Sequence, residues 1–270
     1  MSIVLASETL PEPVERELAS AVAQLESLSL AARLSGMLGQ PIEALRARLP
    51  SGTQGLIDGA VRGALSTAMQ AALRTAPTRN PLPIPDSWFH RGLAAASGAA
   101  GGAFGLPGTL VELPVSTTLL LRQIAAIAAE QGEDLADPLT AAECLKVFAL
   151  GGRDPGDDAA ETGYFAVRIA LSEALKGVMG AGVFSAVLPG FLAAIASRFA
   201  GPVATKLALQ AAPVIGAAAG ATVNLAFLAH FRAIAEGHFT VRRLERSHGQ
   251  AKVQAAYEAL KSQRDAKFLD

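Results

Sequence analysis

The chain has 270 residues, with 23 Lys and Arg against 24 Asp and Glu and a pI near 6.4. This near-neutral balance excludes the broad basic field that nucleic-acid binding relies on, so no nucleic acid is expected as a partner. Charged residues make up only 17%, against about 25% in an ordinary soluble domain, and a single cysteine, Cys144, excludes an internal disulfide framework.

No segment sustains a two-residue alternation, and the expected fold is an all-α bundle of about ten helices. The opening MSIVLASETLPEPVERE lacks a basic start and turns acidic early, which predicts no secretory signal and a cytoplasmic location. Val14, Leu18, Val22 and Leu25 recur at helical spacing in a segment over 14–38, with Glu12, Glu15 and Glu17 near its positive end. PIEALRARL gives a short helix stopped by Pro50, and Ile57, Val61, Leu65, Met69 and Leu73 line one face of a third over 53–75. APTRNPLPIPDS, 76–87, holds four prolines and predicts a boundary. It divides an N-terminal helical region, 1–84, from a larger helical domain, 85–249, which a charged helix or tail, 250–270, follows.

SGAAGGAFGLPGTLVELP, 97–114, concentrates five glycines between 98 and 108. A dinucleotide loop needs glycines at the first, third and sixth positions after a strand, and a P-loop needs Gly-Lys-Ser/Thr. Neither occurs, and no cofactor is expected. Gly98 with Gly102, Gly101 with Gly105, and Gly216 with Gly220 are instead four apart, each pair on one helix face. They predict a close contact between the two regions and a Gly/Ala-rich, tightly packed core. Leu106-Pro107-Gly108 predicts a break before a helix over 115–131 that ends at Gly132. Glu112 stands in apolar surroundings and needs a partner, for which Arg122 or Arg198 is expected. Asp137-Pro138 opens a helix that stops at Gly151-Gly152, and Cys144 inside it reads as core rather than nucleophile.

Residues 177–231 carry two charges, Arg198 and Lys206, whereas 232–270 carry eight basic and five acidic residues. The stretches 177–197 and 207–231 are each long enough to cross a bilayer, which takes about 20 apolar residues. Pro189-Gly190, Pro213, Gln210 and Asn224 interrupt them, and one Trp and two Tyr cannot build two aromatic belts. A buried helical core is therefore preferred to an integral hairpin, with reversible insertion or interfacial binding as the remaining alternative.

The densest polar stretch is RDPGDDAAETGYFAVR, 153–168. Asp154, Asp157, Asp158 and Glu161 have the oxygen chemistry of a hard-cation site, but Asp158-Ala-Ala-Glu161 also fits a helix cap and the EF-hand order is missing. His-Glu-x-x-His is absent, and Glu245-x-x-His248 is one of the two pairs that a di-iron bundle requires, so no metal is expected. Catalysis, if present, would need Asp157, Asp158, Glu161, Arg168, His230 and His238 to meet in one cleft. The competing reading for each histidine is a polar residue closing a helix end. Arg242, Arg243 and Arg246 share one short stretch and suit either an anionic surface or ion pairs with Glu236 and Glu245.

Three blocks together resemble the EcsC family: AAASGAAGGAFGLPGTLVELPVSTTLLLRQIAAIAAEQGEDL, then FALGG with DDAAETGYFAVR, then APVIGAAAGATVNLAFLAHFRAIAEGHFTVRRLERSHG. The last is the most specific, through Pro213, Gly216, Gly220, Asn224, His230, Ala235, His238 and Arg242-Arg243-Leu244-Glu245. The resemblance runs from about 85 to 249, with 1–84 outside it. One departure is Glu112, where the family pattern favours Asp; the carboxylate is kept. The family is named for a bacterial operon whose other products form an ABC transporter. That implies a bacterial accessory protein working by binding at the cytoplasmic face of the membrane, linked to transport or secretion, with membrane lipid or a membrane protein as partner. The resemblance brings no catalytic motif. A hydrolase or metal-dependent enzyme, and a carrier of lipid or another small apolar ligand, are the alternatives; oligomeric state is not legible.

Overall fold

The computed structural model describes residues 10–27, 29–38, 47, 52–74, 92–93, 95–97, 99, 105–152, 163–175, 184–210 and 216–267. Among them lie nine helices and no strand, an all-α bundle. The expected helix over 41–49, the proline-rich connection 76–87 and the acidic stretch 153–162 fall outside the described residues.

Helix α1 (Glu12–Leu25) begins on Pro11, with Glu12 and Glu15 in its first turn, and buries Leu18, Ala21, Val22 and Leu25. It packs on the long helix α8 (Gly216–His248). At the crossing, a Cβ on Gly237 would stand 2.8 Å from Leu25 Cγ and 3.1 Å from the Ala21 carbonyl, so only a hydrogen lets the helices meet. The single helix expected over 14–38 is two. The Ser29 hydroxyl accepts from the Ala32 amide at 3.2 Å and starts α2 (Leu30–Leu38) afresh.

Helix α3 (Thr53–Arg74) buries Ile57, Val61, Leu65 and Met69 against α4 (Gly105–Glu130) and α7 (Phe184–Gln210). Helix α4 corrects the expected break at Leu106-Pro107-Gly108. Pro107 sits in the first turn, where its missing N–H has no intrahelical partner to lose, and the helix runs on through Pro114. The Thr118 hydroxyl donates to the Pro114 carbonyl at 2.8 Å. Gly132, at φ +79°, then ends it as expected.

In α5 (Pro138–Leu150) the Asp137 side chain accepts from the Leu139 amide at 2.8 Å and Pro138 opens the first turn, as the sequence predicts. This helix is buried almost all round, and its end at Gly151-Gly152 is fixed by packing. A Cβ on Gly152 would collide with the Arg198 carbonyl of α7. Helices α6 (Tyr164–Leu175) and α9 (Gln250–Lys267) complete the bundle.

One hydrophobic cluster runs from Leu10 to Tyr257 and includes residues on both sides of the proline-rich stretch. The rings of Phe148, Phe199 and Phe231 meet in pairs at 4.8–5.6 Å and lock α5, α7 and α8 together. Among the described residues, Pro107–Glu130 and Gly190–Leu209 are long and apolar enough to cross a membrane, and of an apolar 18-residue stretch of each, 50% and 61% respectively is buried inside the protein. The second overlaps the expected 177–197; the first is new.

Candidate functional site

Two groups of buried polar side chains interrupt the core. The first lies between α4, α7 and α8. Lys206, 1% exposed, donates to Glu112 Oε2 at 2.5 Å and to Ser116 Oγ at 3.3 Å. Glu112 Oε1 accepts from Asn224 Nδ2 and from Ser97 Oγ, both at 2.9 Å. This overturns the expected pairing of Glu112 with Arg122 or Arg198. Arg122 lies on the exposed side of α4, and Arg198 sits where its backbone closes over Gly152. The Lys206 ammonium also lies 5.7 Å from the centre of the Phe227 ring. Beside this node, Ser116, Leu119, Leu120, Asn224, Phe227 and Leu228 surround a cavity of about 10 Å³, room for a single water.

The second group joins α5, α6 and the C-terminal half of α8. Glu143 Oε1 accepts from Lys146 at 2.7 Å, and Lys146 also donates to Ser172 Oγ at 2.9 Å. The two ring nitrogens of His238 contact Glu143 Oε2 at 3.2 Å and the Tyr164 hydroxyl at 3.0 Å. Arg168 donates to Tyr164 OH at 3.3 Å and grips Glu245 through two bonds of 2.9 Å. Burial pushes His238 down to about 4, so the ring is neutral near pH 7. The donors and acceptors then have one consistent order. Nε2–H of His238 donates to Glu143, Nδ1 accepts from Tyr164, and the tyrosine oxygen accepts from Arg168. Burial alone would raise the Glu143 carboxyl, but the His238 hydrogen bond with the charges of Lys146 and Arg242 outweighs it and holds that carboxyl well below its usual range. The Tyr164 hydroxyl is pushed above its usual range, chiefly by burial. Cys144 is buried as expected, and burial with the neighbouring carboxylates pushes its thiol up to about 12.

Around this chain lies an outer ring of ion pairs. Glu133, just past the end of α4, takes two bonds from Arg242 at 2.9 and 3.0 Å and a further ion pair from Arg246. Arg246 also caps the Gln131 carbonyl at 2.7 Å. Arg243 donates to Gln131 Oε1 at 2.7 Å and pairs with Glu17. All three arginines named for an anionic surface are thus engaged within the protein, by Glu133, Glu17 and Gln131 rather than by Glu236 or by Glu245.

Of the six residues named for catalysis, Arg168 and His238 are brought together through the Tyr164 hydroxyl. His230 stands two turns back along α8, with Nε2–H donating to the Gly151 carbonyl at 2.8 Å. Asp157, Asp158 and Glu161 lie outside the described residues. Both histidines are buried side chains within α8: His230 closes the C-terminal end of α5 through the Gly151 carbonyl, as the competing reading expects, whereas His238 instead joins Glu143 and Tyr164. Sequence reasoning missed Tyr164, Glu143 and Lys146. The available signals were the Tyr164/Arg168 spacing of four and the Glu143/Lys146 spacing of three on otherwise apolar helices. Of the six packing glycines, Gly98, Gly101 and Gly102 lie outside the described residues, while Gly105, Gly216 and Gly220 lie on α4 and α8, which pack together. Among the described residues, no group of three His, Cys, Asp or Glu is placed to hold a metal ion.

Among the described residues the fold is all-helical, and the buried ionisable groups of these two clusters join its helices. The chain belongs to the EcsC protein family, whose profile matches residues 12–244. The match takes in the N-terminal helices, well before residue 85. No curated protein and no solved structure matches the chain.

Proposed function

We propose that the protein acts by binding at the cytoplasmic face of a membrane, as an accessory component linked to transport or secretion, and that the outward face of α4 is its lipid contact. One observation carries this reading. Val111 and Val115 are 78% and 53% exposed on successive turns of an apolar helix of bilayer length. Pro107 precedes them and Arg122 and Ala126 follow, all exposed at helical spacing. Such a stripe suits the headgroup–acyl boundary, with Arg122 reaching up to phosphate along its aliphatic stem. Leu225, next to Asn224 on α8, is a further exposed apolar side chain. The link to transport or secretion rests on family membership alone.

The arginines of α8 are the weaker lipid contact, since an anionic surface would have to displace Glu133 and Glu17. An enzyme built on Arg168 and His238 has less support, because each ring nitrogen of His238 is already engaged and the side chain is fully buried. A carrier would need room for an apolar ligand, and the cavity beside Asn224 is not that site, since it holds about one water.

Cell fractionation separates these readings. Attachment through the apolar stripe survives a high-salt wash and is released by carbonate; attachment through arginines is released by salt. Val111→Glu with Val115→Glu should abolish flotation with vesicles of phosphatidylethanolamine and phosphatidylglycerol. Undiminished flotation of that variant sinks the proposed surface.

A further inference from the structure

We propose that the Glu112–Lys206 ion pair is a latch: closed, it keeps the two bilayer-length apolar helices α4 and α7 packed in the water-soluble form, and its opening releases them to lipid. This rests on the membrane-face reading above. Among the described residues only Pro107–Glu130 and Gly190–Leu209 have the length and composition to cross a bilayer, and this pair ties one to the other. Its side chains are 1% and 6% exposed, and a third helix reinforces it through Asn224.

The pair sits near an end of each span. Glu112 is five residues from Pro107 and Lys206 three from Leu209. At a rise of about 1.5 Å per residue, both charges stand roughly 5–8 Å inside those ends, within reach of headgroups once the helices leave each other. In lipid, each charge can therefore find water or phosphate without the other. In the packed core, each has only the other and a few neutral groups. Loss of one partner thus penalises the packed form far more than a lipid-exposed one. Each span also carries an arginine, Arg122 and Arg198, a cost of insertion that is the same whether the latch is closed or open, so the pair need only tip the balance between the two forms.

The test compares wild type with Glu112→Gln, with Lys206→Met, and with the exchanged pair Glu112→Lys plus Lys206→Glu. Each is checked for helicity by circular dichroism, floated with phosphatidylethanolamine–phosphatidylglycerol vesicles and washed with carbonate. Both single variants should show a carbonate-resistant fraction about tenfold or more above wild type. The exchanged pair should return close to wild type, because Asn224, Ser97 and Ser116 can serve either charge as donor or acceptor. Single variants that stay helical and wash off, or that pellet equally without vesicles, overturn the latch, as does an exchanged pair that inserts as readily as the singles. The two readings fail separately. Wild type that never floats while the singles insert defeats the surface reading alone, whereas wild type that floats alongside singles that wash off defeats the latch alone.

Discussion

Helix α8 is one continuous helix with two different neighbourhoods. Its first half packs against α4 and α7 and buries Val223, Phe227, Leu228 and Phe231, and its Asn224 touches one ion pair. Its second half carries His238, Arg242 and Glu245 into a connected set with Glu143, Tyr164, Arg168 and Glu133. Both halves bury charge, but in the first each charge has one counterpart. In the second, Glu143 is approached by Lys146, His238 and Arg242, and Glu133 by two arginines. An isolated pair is brittle because nothing replaces a lost partner, whereas a network shares the loss.

The largest expected effect follows from that brittleness. Lys206→Met leaves Glu112 buried without its cation and should cost about 3–5 kcal/mol, read as a fall in the urea midpoint. Adding Glu112→Leu should recover most of that loss, since no orphan charge remains. A loss below about 1 kcal/mol for the single variant would place Glu112 in the class of weakly coupled surface pairs and remove the contrast between the two halves.

The network half should instead respond to pH. His238 stays neutral to about 4 in the folded protein, against about 6.5 for a free imidazole. Between those values the unfolded chain binds a proton that the native chain refuses, so stability falls as pH falls through this window and is independent of this group above it. The whole window amounts to about 3 kcal/mol for a fully buried ring. Protonation of Glu143, held low in the native state, acts in the same direction at more acid pH. Urea midpoints measured across the window should slope in wild type and flatten in His238→Gln. An unchanged slope in the variant would move the titration elsewhere in the network.

Much of the fold is legible because its signals are local. Asp137-Pro138 and Gly151-Gly152 bracket α5, and Ile57, Val61, Leu65 and Met69 mark the buried side of α3. The start of α4 is misread because Pro107 and Gly108 count as breakers only where the helix has already formed. The polar sites divide in the same way. That Glu112 and Asn224 each need a partner is visible from their apolar surroundings. That Lys206 rather than Arg122 answers Glu112 depends on which side of each helix packs, across 94 residues. The cluster Arg242, Arg243 and Arg246 looks like a basic patch in one dimension. Only in space do Glu17 and Glu133 neutralise it.

The smallest expected effect concerns the outer side of α3, which packs its inner side against the apolar helices α4 and α7. There Gly55, Gly59 and Gly63 recur every fourth residue with nothing within 4 Å of an added Cβ, unlike Gly152 and Gly237, where backbone or side chain fills that space. A glycine that makes no contact contributes only the entropy of a looser unfolded chain, so Gly59→Ala should raise stability by about 1 kcal/mol and increase Tm by a few degrees. If Tm falls instead, the added methyl has met a neighbour in solution, and the outer side of α3 joins the outer side of α4 as a surface that another molecule covers. A rise leaves Val111, Val115 and their neighbours as the one proposed contact surface, and α3 as a helix that packs its inner side against α4 and α7.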